Sequence, residues 1–217
     1  EYVFDPNQPR DEQGRWVDSV AVWEQHPNTK LNTERVGGPP GHPDWGLSEE
    51  SEYANYTNSG TSLINRGLRE RDPVTEELVG RMDGIVAKSP KLEEPVVALR
   101  GIAAIPGERT HASRLQRIFG TADVKVGDTF SERAFLSTTV DRGIAEKFAD
   151  KKRHSGVLME FVVPKGTPAL KAREDEKEFI FARNTKFKVV GMTAAKPPRG
   201  DRGIIAPMLT IRAQVLE

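Results

Sequence analysis

Apolar residues recur at helical spacing through the first half of the chain and at strand spacing through the second. Between Ser48 and Asp72 the stretch SEESEYANYTNSGTSLINRGLRERD reads as one or two helices. Ser48 with Glu49 and Glu50 suits a helix N-terminus. Thr61 or Ser62 opens the next helix, with Leu63, Ile64 and Leu68 as its apolar stripe. Pro73 interrupts, and Leu78, Val79, Met82, Ile85 and Val86 then repeat the helical period. Beyond Pro90 the pattern changes. PVVALRGI, AFLSTT, GVLMEFVVP, FIFARNTKFKVVGM and PMLTIRAQVLE read as strands. Short helices are expected around SRLQRIFG and over DRGIAEKFAD, the latter with Ile144, Ala145 and Phe148 turned inward. Helices first and many strands after them predict an α+β fold whose sheet is mixed and mainly antiparallel, not a doubly wound parallel one.

Residues 1–47 lack such periodicity, and GGPPGHPDWG (Gly37–Gly46) is too rich in Gly and Pro for a helix or central strand. Two readings fit: an extended arm or linker over 1–47 ahead of a domain over 48–217, or a segment wrapped on the domain through Trp16, Trp23 and Trp45. The chain opens on Glu1 instead of Met, as expected of a piece of a longer polypeptide. With 217 residues there is room for one large domain.

Composition narrows the chemistry. The formal net charge is zero, which disfavours general nucleic-acid binding. Without cysteine there is no disulfide framework, thiolate nucleophile or thiolate-bound metal. No apolar run has the length of a transmembrane helix. The histidines His26, His42, His111 and His154 are scattered without ligand spacing, so no metal site is expected.

Polar residues inside or beside apolar runs are the candidates. Arg100 closes VVAL, Ser137-Thr138-Thr139 follow AFL, and Glu176-Lys177-Glu178 precede FIF. A buried guanidinium requires an anion. Two glutamates one residue apart at the start of a strand would point the same way, since i and i+2 share a face. Each feature also has an ordinary reading: a strand-end arginine reaching solvent, hydroxyls filling a strand, a solvated charged edge.

Taken in order, these pieces resemble the mono-ADP-ribosyltransferases of the Arg-Ser-Glu type, the toxin-like branch, over roughly residues 50–217. The motifs are YTNSGTSLINRGLR (Tyr56–Arg69), ALRGI with Arg100, FLSTT with Ser137, and EKEFIFARNTKFKVV with Glu176 and Glu178. The resemblance implies N-terminal helices followed by a two-sheet core around an NAD cleft. It also implies cleavage of NAD at the nicotinamide–ribose bond, with ADP-ribose passed to a protein side chain and no metal required. Glu174-x-Glu176 is a second acidic pair, but the family sets its catalytic glutamate directly before the apolar strand, which selects Glu178.

By the family's pattern Arg100 anchors the NAD phosphates and Gly101 lets its backbone approach the nicotinamide amide. Ser137 holds Glu178, and Thr138 and Thr139 complete the hydroxyl run, Thr139 standing where a second serine is usual. Glu178 binds the ribose and stabilises the developing cation. Glu176, in place of a glutamine, implies arginine as the acceptor. Tyr56 and Asn65 match positions near NAD, and Arg69 stands as either a phosphate contact or a surface charge. Lys171–Asp175 fall in the substrate-recognition loop. Phe148 reads as core in preference to a nicotinamide stacker. Secretion or delivery into a target cell follows, with room for a neutralising immunity protein. An NAD glycohydrolase on the same fold and an inactive NAD-binding module of a phage or secretion-system protein are the alternatives.

Overall fold

The computed structural model describes residues 10, 17–26, 53, 56–57, 61–73, 79–105, 108, 110–149, 156–194 and 208–216. In chain order the helices are α1 (Ser19–Gln25), α2 (Thr61–Glu70), α3 (Gly80–Lys88), α4 (His111–Phe119) and α5 (Arg142–Phe148). The strands are β1 (Val96–Ile102), β2 (Thr129–Glu132), β3 (Leu136–Thr139), β4 (Val157–Val163), β5 (Leu170–Lys171), β6 (Glu178–Phe181), β7 (Thr185–Ala194) and β8 (Leu209–Val215). No helix among the described residues is long and apolar enough to cross a membrane.

The strands run in the order β2-β7-β8-β4-β1-β3-β6-β5. Every pairing is antiparallel except β4 with β8. The sheet is mixed and mainly antiparallel, as its sequence predicts. The two expected sheets are continuous here, but their junction is narrow: β1 meets β3 through the single pair Leu99↔Thr139. On one side of this junction β1 is fully laddered to β4 over seven residue pairs. On the other, β3 is laddered to β6 over four.

Burial explains the strand types. β4 is buried almost throughout, as a central strand covered on both faces must be. β8 alternates buried and half-buried positions, as does the first part of β7 between buried and exposed ones, giving one solvated face. Helices α2 and α3 cover the β3–β6–β5 half through Leu68, Met82, Ile85 and Val86 against Phe135, Leu170 and Ile180. Leu63, expected in the stripe of α2, is instead 61% exposed. The inward face of that helix is carried by Asn65 and Leu68.

A helix also forms within the segment expected to be an arm or linker. Asp18 caps α1 by accepting from the backbone N–H groups of Val20 and Ala21. Ser19 Oγ accepts from Val97 N at 2.8 Å, which ties α1 to β1. Trp23 is only 2% exposed and sits in the main core. Trp16 and Trp45 lie outside the described residues.

At Gly101 the backbone of helix α5 lies directly against β1. A Cβ on Gly101 would lie 1.8 Å from Ala145 O and 2.5 Å from Ala149 N. Both are backbone atoms of α5 or its cap, so they cannot swing aside. Buried Glu160 on β4 pins the start of the same helix: it accepts from Arg142 of α5 and, at 2.8 Å, from Arg212 of β8. Gly101→Ala is therefore expected to displace α5 and to cost roughly 3 kcal/mol of stability. Gly80→Ala, where a Cβ meets nothing within 4 Å, serves as the control and should be neutral or slightly stabilising. Urea unfolding of both variants checks this; a Gly101→Ala midpoint equal to that of Gly80→Ala would refute the packing argument.

Candidate active site

The sheet junction creates the cleft. Antiparallel continuation from Leu99↔Thr139 would set Arg100 against Thr138 and Gly101 against Ser137, but the pairing stops. The strands part, and a hollow of about 400 Å³ opens between them. Leu99, Arg100 and Gly101 form one wall, Ser137, Thr138 and Thr139 the other, and Asn65, Arg69, Phe148 and Glu176 complete the rim. Residues far apart in sequence thus share one surface because one β-ladder ends early.

Glu178 opens β6 opposite Thr139 and lies behind this wall, 5% exposed. Ser137 Oγ donates to its Oε1 in a short hydrogen bond. Burial pushes the Glu178 carboxyl up to about 7, with Ser137 opposing the rise and the charge of Glu176 adding to it. Its backbone is held as well, since Glu178 N donates to Arg173 O at 3.0 Å and Trp23 Nε1 donates to Glu178 O at 3.3 Å.

The two glutamates are not related by strand alternation, as their spacing predicts. β6 begins at Glu178, and Lys177 between them takes a left-handed conformation with φ 45°. The turn is closed by Lys177 N donating to Glu174 O at 3.2 Å. Thr139 Oγ1 then donates to Glu176 O at 2.6 Å and accepts from Asp141 N at 3.0 Å. A reverse turn, not a pleat, brings Glu176 to the cleft while Glu178 stays buried. Thr138 is tied to the sheet, its Oγ1 donating to Phe179 O at 3.0 Å.

Arg100 is side-on to Glu132, with Nη1 3.7 Å from Glu132 Oε2, beyond hydrogen-bonding distance. Its Nη1 is buried without a hydrogen-bond partner among the described residues. Arg69 grips the same carboxylate with two bonds, Nε at 3.1 Å and Nη2 at 3.0 Å. Glu132 therefore holds two guanidinium groups together, a residue that sequence reasoning missed. Its only signal was an acid five residues before Ser137. Arg69 and Arg100 also border a second hollow of about 350 Å³, lined by Ile102, Arg117, Phe130 and Arg133 among others. The two hollows meet at this arginine pair.

Not every expected residue reaches the cleft. Tyr56 is fully buried beneath it, its hydroxyl accepting from Asn65 Nδ2 at 3.0 Å. Asn65 Oδ1 accepts from Phe135 N at 3.2 Å, so this pair braces the segment leading into β3. Phe148, expected in the core, is 51% exposed on the cleft rim. The reason is that α5 faces β1 through Ala145, which leaves Phe148 at the end of the helix in the open. Lys171 is buried, its Nζ 3.8 Å from the centre of the Trp23 ring. His26 is buried behind β6, a ring nitrogen 3.0 Å from Ala169 O, and burial lowers its pKa. His111 begins α4, and His42 and His154 lie outside the described residues. No cluster of three or more acidic or histidine side chains among the described residues is placed to hold a metal ion.

The arrangement can hold an anion at Arg69 and Arg100 and present a carboxylate to a cation beside Ser137. The chain is similar in structure to Plx2a, an ADP-ribosyltransferase toxin from Paenibacillus larvae, with 24% identity over 79% of this chain and 87% of that one, TM-score 0.57. It is similar to C3stau2 from S. aureus, solved with NAD, at 19% identity over 80% and 89% of the two chains, TM-score 0.57. The catalytic domain of VahC from Aeromonas hydrophila aligns at 18% identity over 79% and 100%, TM-score 0.55. These likenesses show the fold. No curated protein matches the chain. The sequence model for ADP-ribosyltransferase exoenzymes matches residues 29–212, most of the chain, and the protein belongs to that family.

Proposed function

We propose that this ADP-ribosyltransferase cleaves NAD at its nicotinamide–ribose bond and transfers ADP-ribose to an arginine of a target protein, as a secreted or delivered toxin. One observation carries the reading: Ser137, bonded to Glu178, and Arg100, whose buried Nη1 lacks a hydrogen bond, sit on the two walls of one cleft, with Glu176 on its rim.

The residues present fit a dinucleotide. Two hollows that meet at Arg69 and Arg100 offer one lobe to each nucleoside and a pair of guanidinium groups to the diphosphate between them. Arg100 Nη1, buried and lacking a hydrogen bond, is the donor that such an anion would satisfy. Phe148 offers an aromatic face on the rim for a cationic pyridinium ring. NAD itself supplies the leaving group, a nicotinamide that departs neutral. Departure leaves oxocarbenium character on the ribose. Glu178 stabilises that charge from a position fixed by Ser137, Trp23 and the 173–178 turn, so little reorganisation is needed as the charge develops.

Glu176 is the acceptor-side carboxylate. It lies on the same rim, and a carboxylate there pairs with an incoming guanidinium and takes its proton as the new bond forms. Of the charged segment 171–175 that precedes it, Lys171 is buried, and the exposed Arg173, Glu174 and Asp175 form the surface that a target protein meets.

The test is a lysate incubated with the protein and NAD, followed by mass spectrometry of the acquired ADP-ribose. Arginine adducts are the expected result. Adducts confined to other side chains would overturn the acceptor assignment, and free nicotinamide without any protein adduct would favour hydrolysis.

A further inference from the structure

The acceptor-side carboxylate already holds a guanidinium of this chain. Arg173 Nη1 lies 3.1 Å from Glu176 Oε1 across the turn. Its Nη2 is 3.2 Å from Asp175 Oδ2, so the two ends of the guanidinium are fixed separately. Arg173 also acts electrostatically on Glu178, and its carbonyl accepts from Glu178 N. The left-handed Lys177 makes this approach feasible by folding 173–176 back over the start of β6. The two arginines that line the cleft are engaged elsewhere, Arg69 and Arg100 both with Glu132. Arg173 remains half-exposed, 46% for its side chain, and is paired to Glu176, which lines the cleft together with Ser137 and Arg100.

We propose that Arg173 is an acceptor in cis, a self-modification site of this enzyme. The proposal rests on the reading of Glu176 as the carboxylate that receives an acceptor guanidinium. The C1′–N bond between ribose and nicotinamide breaks, and its electron pair leaves with neutral nicotinamide. A lone pair on Arg173 Nη1 forms the new bond to C1′. The proton shed by that nitrogen passes to Glu176 and then to solvent. The products are nicotinamide, ADP-ribosylated Arg173 and a proton. Because Arg173 is tethered three residues from Glu176, the reaction is unimolecular in enzyme, and its effective concentration exceeds that of a free acceptor. The modified side chain would then cover the carboxylate that a target arginine needs.

The experiment uses the whole protein alone with NAD labelled on the adenylate phosphate. Nicotinamide release, label per chain and the labelled residue are read in parallel. The expected result is at most a single ADP-ribose per chain, on Arg173, formed at a rate per chain independent of protein concentration. Arg173→Lys should reduce the label to background. Mapping the site on the unsubstituted protein asks the same question should that variant fold poorly. Nicotinamide release with Arg173 unlabelled, or label elsewhere, would overturn this proposal and leave NAD cleavage standing. A rate that rises with protein concentration would overturn the in-cis route. Absence of nicotinamide release would overturn both the proposal and the reading beneath it.

Discussion

Glu178→Gln is expected to abolish NAD cleavage and, at the same time, to make the folded protein harder to unfold above neutral pH. The two effects share one cause. Glu178 is almost fully buried, and desolvation raises its pKa from 4.5 to about 7. A folded carboxyl that binds its proton more tightly than the unfolded one contributes stability below the unfolded pKa. That contribution is lost as pH rises through the folded pKa. Above about pH 7 the ionised form is therefore carried at a cost on the order of 3 kcal/mol. Glutamine keeps an oxygen that accepts from Ser137 but has no charge to bury. Its unfolding midpoint should then exceed that of the native protein at alkaline pH and lose the decline between about pH 5 and pH 8. The same charge that costs stability is the one placed against the ribosyl cation, and removing such a preorganised group lowers the rate by about a hundredfold or more. Native activity should accordingly rise with pH and level off above about 7. Urea titrations and nicotinamide release across pH check both halves. Activity of the glutamine variant within tenfold of native would dismiss the role of Glu178; an unchanged pH dependence of stability would dismiss the burial cost.

Much of the fold is legible in the sequence because burial writes itself into the pattern. The unbroken run GVLMEFVV becomes the twice-covered β4, and the alternation in TIRAQV and TKFKVV becomes strands with one wet face. What escapes is held by distant partners. Helix α1 is only seven residues long, and it is anchored by distant partners: Ser19 on Val97, and Trp23 on the carbonyl of Glu178, 155 residues away. β2 alternates exposed and half-buried positions at the end of the sheet and carries almost no apolar signal. Helical spacing points Leu63 and Phe148 inward, yet a helix turns whichever stripe packs best toward its neighbours, and here Leu68 and Ala145 do so.

The candidate site follows the same division. Arg100, Ser137 and Glu178 are recognisable as polar residues in apolar surroundings, and their order along the chain carries the family resemblance. Glu132 is invisible by that test, because its importance lies in binding Arg69, 63 residues earlier, next to Arg100. The relation between Glu176 and Glu178 is also hidden. Spacing predicts one pleated face, but a positive φ at Lys177 converts the spacing into a turn with one carboxylate outside and one inside.

That inside-outside division predicts a clean separation of function. Glu176→Gln is expected to leave nicotinamide release within a few-fold of native while reducing transfer to protein by on the order of a hundredfold or more. The argument is positional. Glu176 makes no hydrogen bond to Ser137 and does not open β6; its carbonyl, which glutamine retains, is what Thr139 holds. The turn should therefore persist, and Glu178 should stay in place against Ser137. Its pKa should fall somewhat, since the charge of Glu176 helps to raise it, so the pH limb of nicotinamide release should move to lower pH. What disappears is, among the described residues, the one carboxylate lining the cleft that could pair with a guanidinium and accept its proton. Water needs no such partner, so cleavage diverts from transfer to hydrolysis. Parallel assays of free nicotinamide and protein-bound ADP-ribose decide it. If both fall together, Glu176 serves the NAD side as well; if transfer persists at the native rate, the acceptor is activated by some other group.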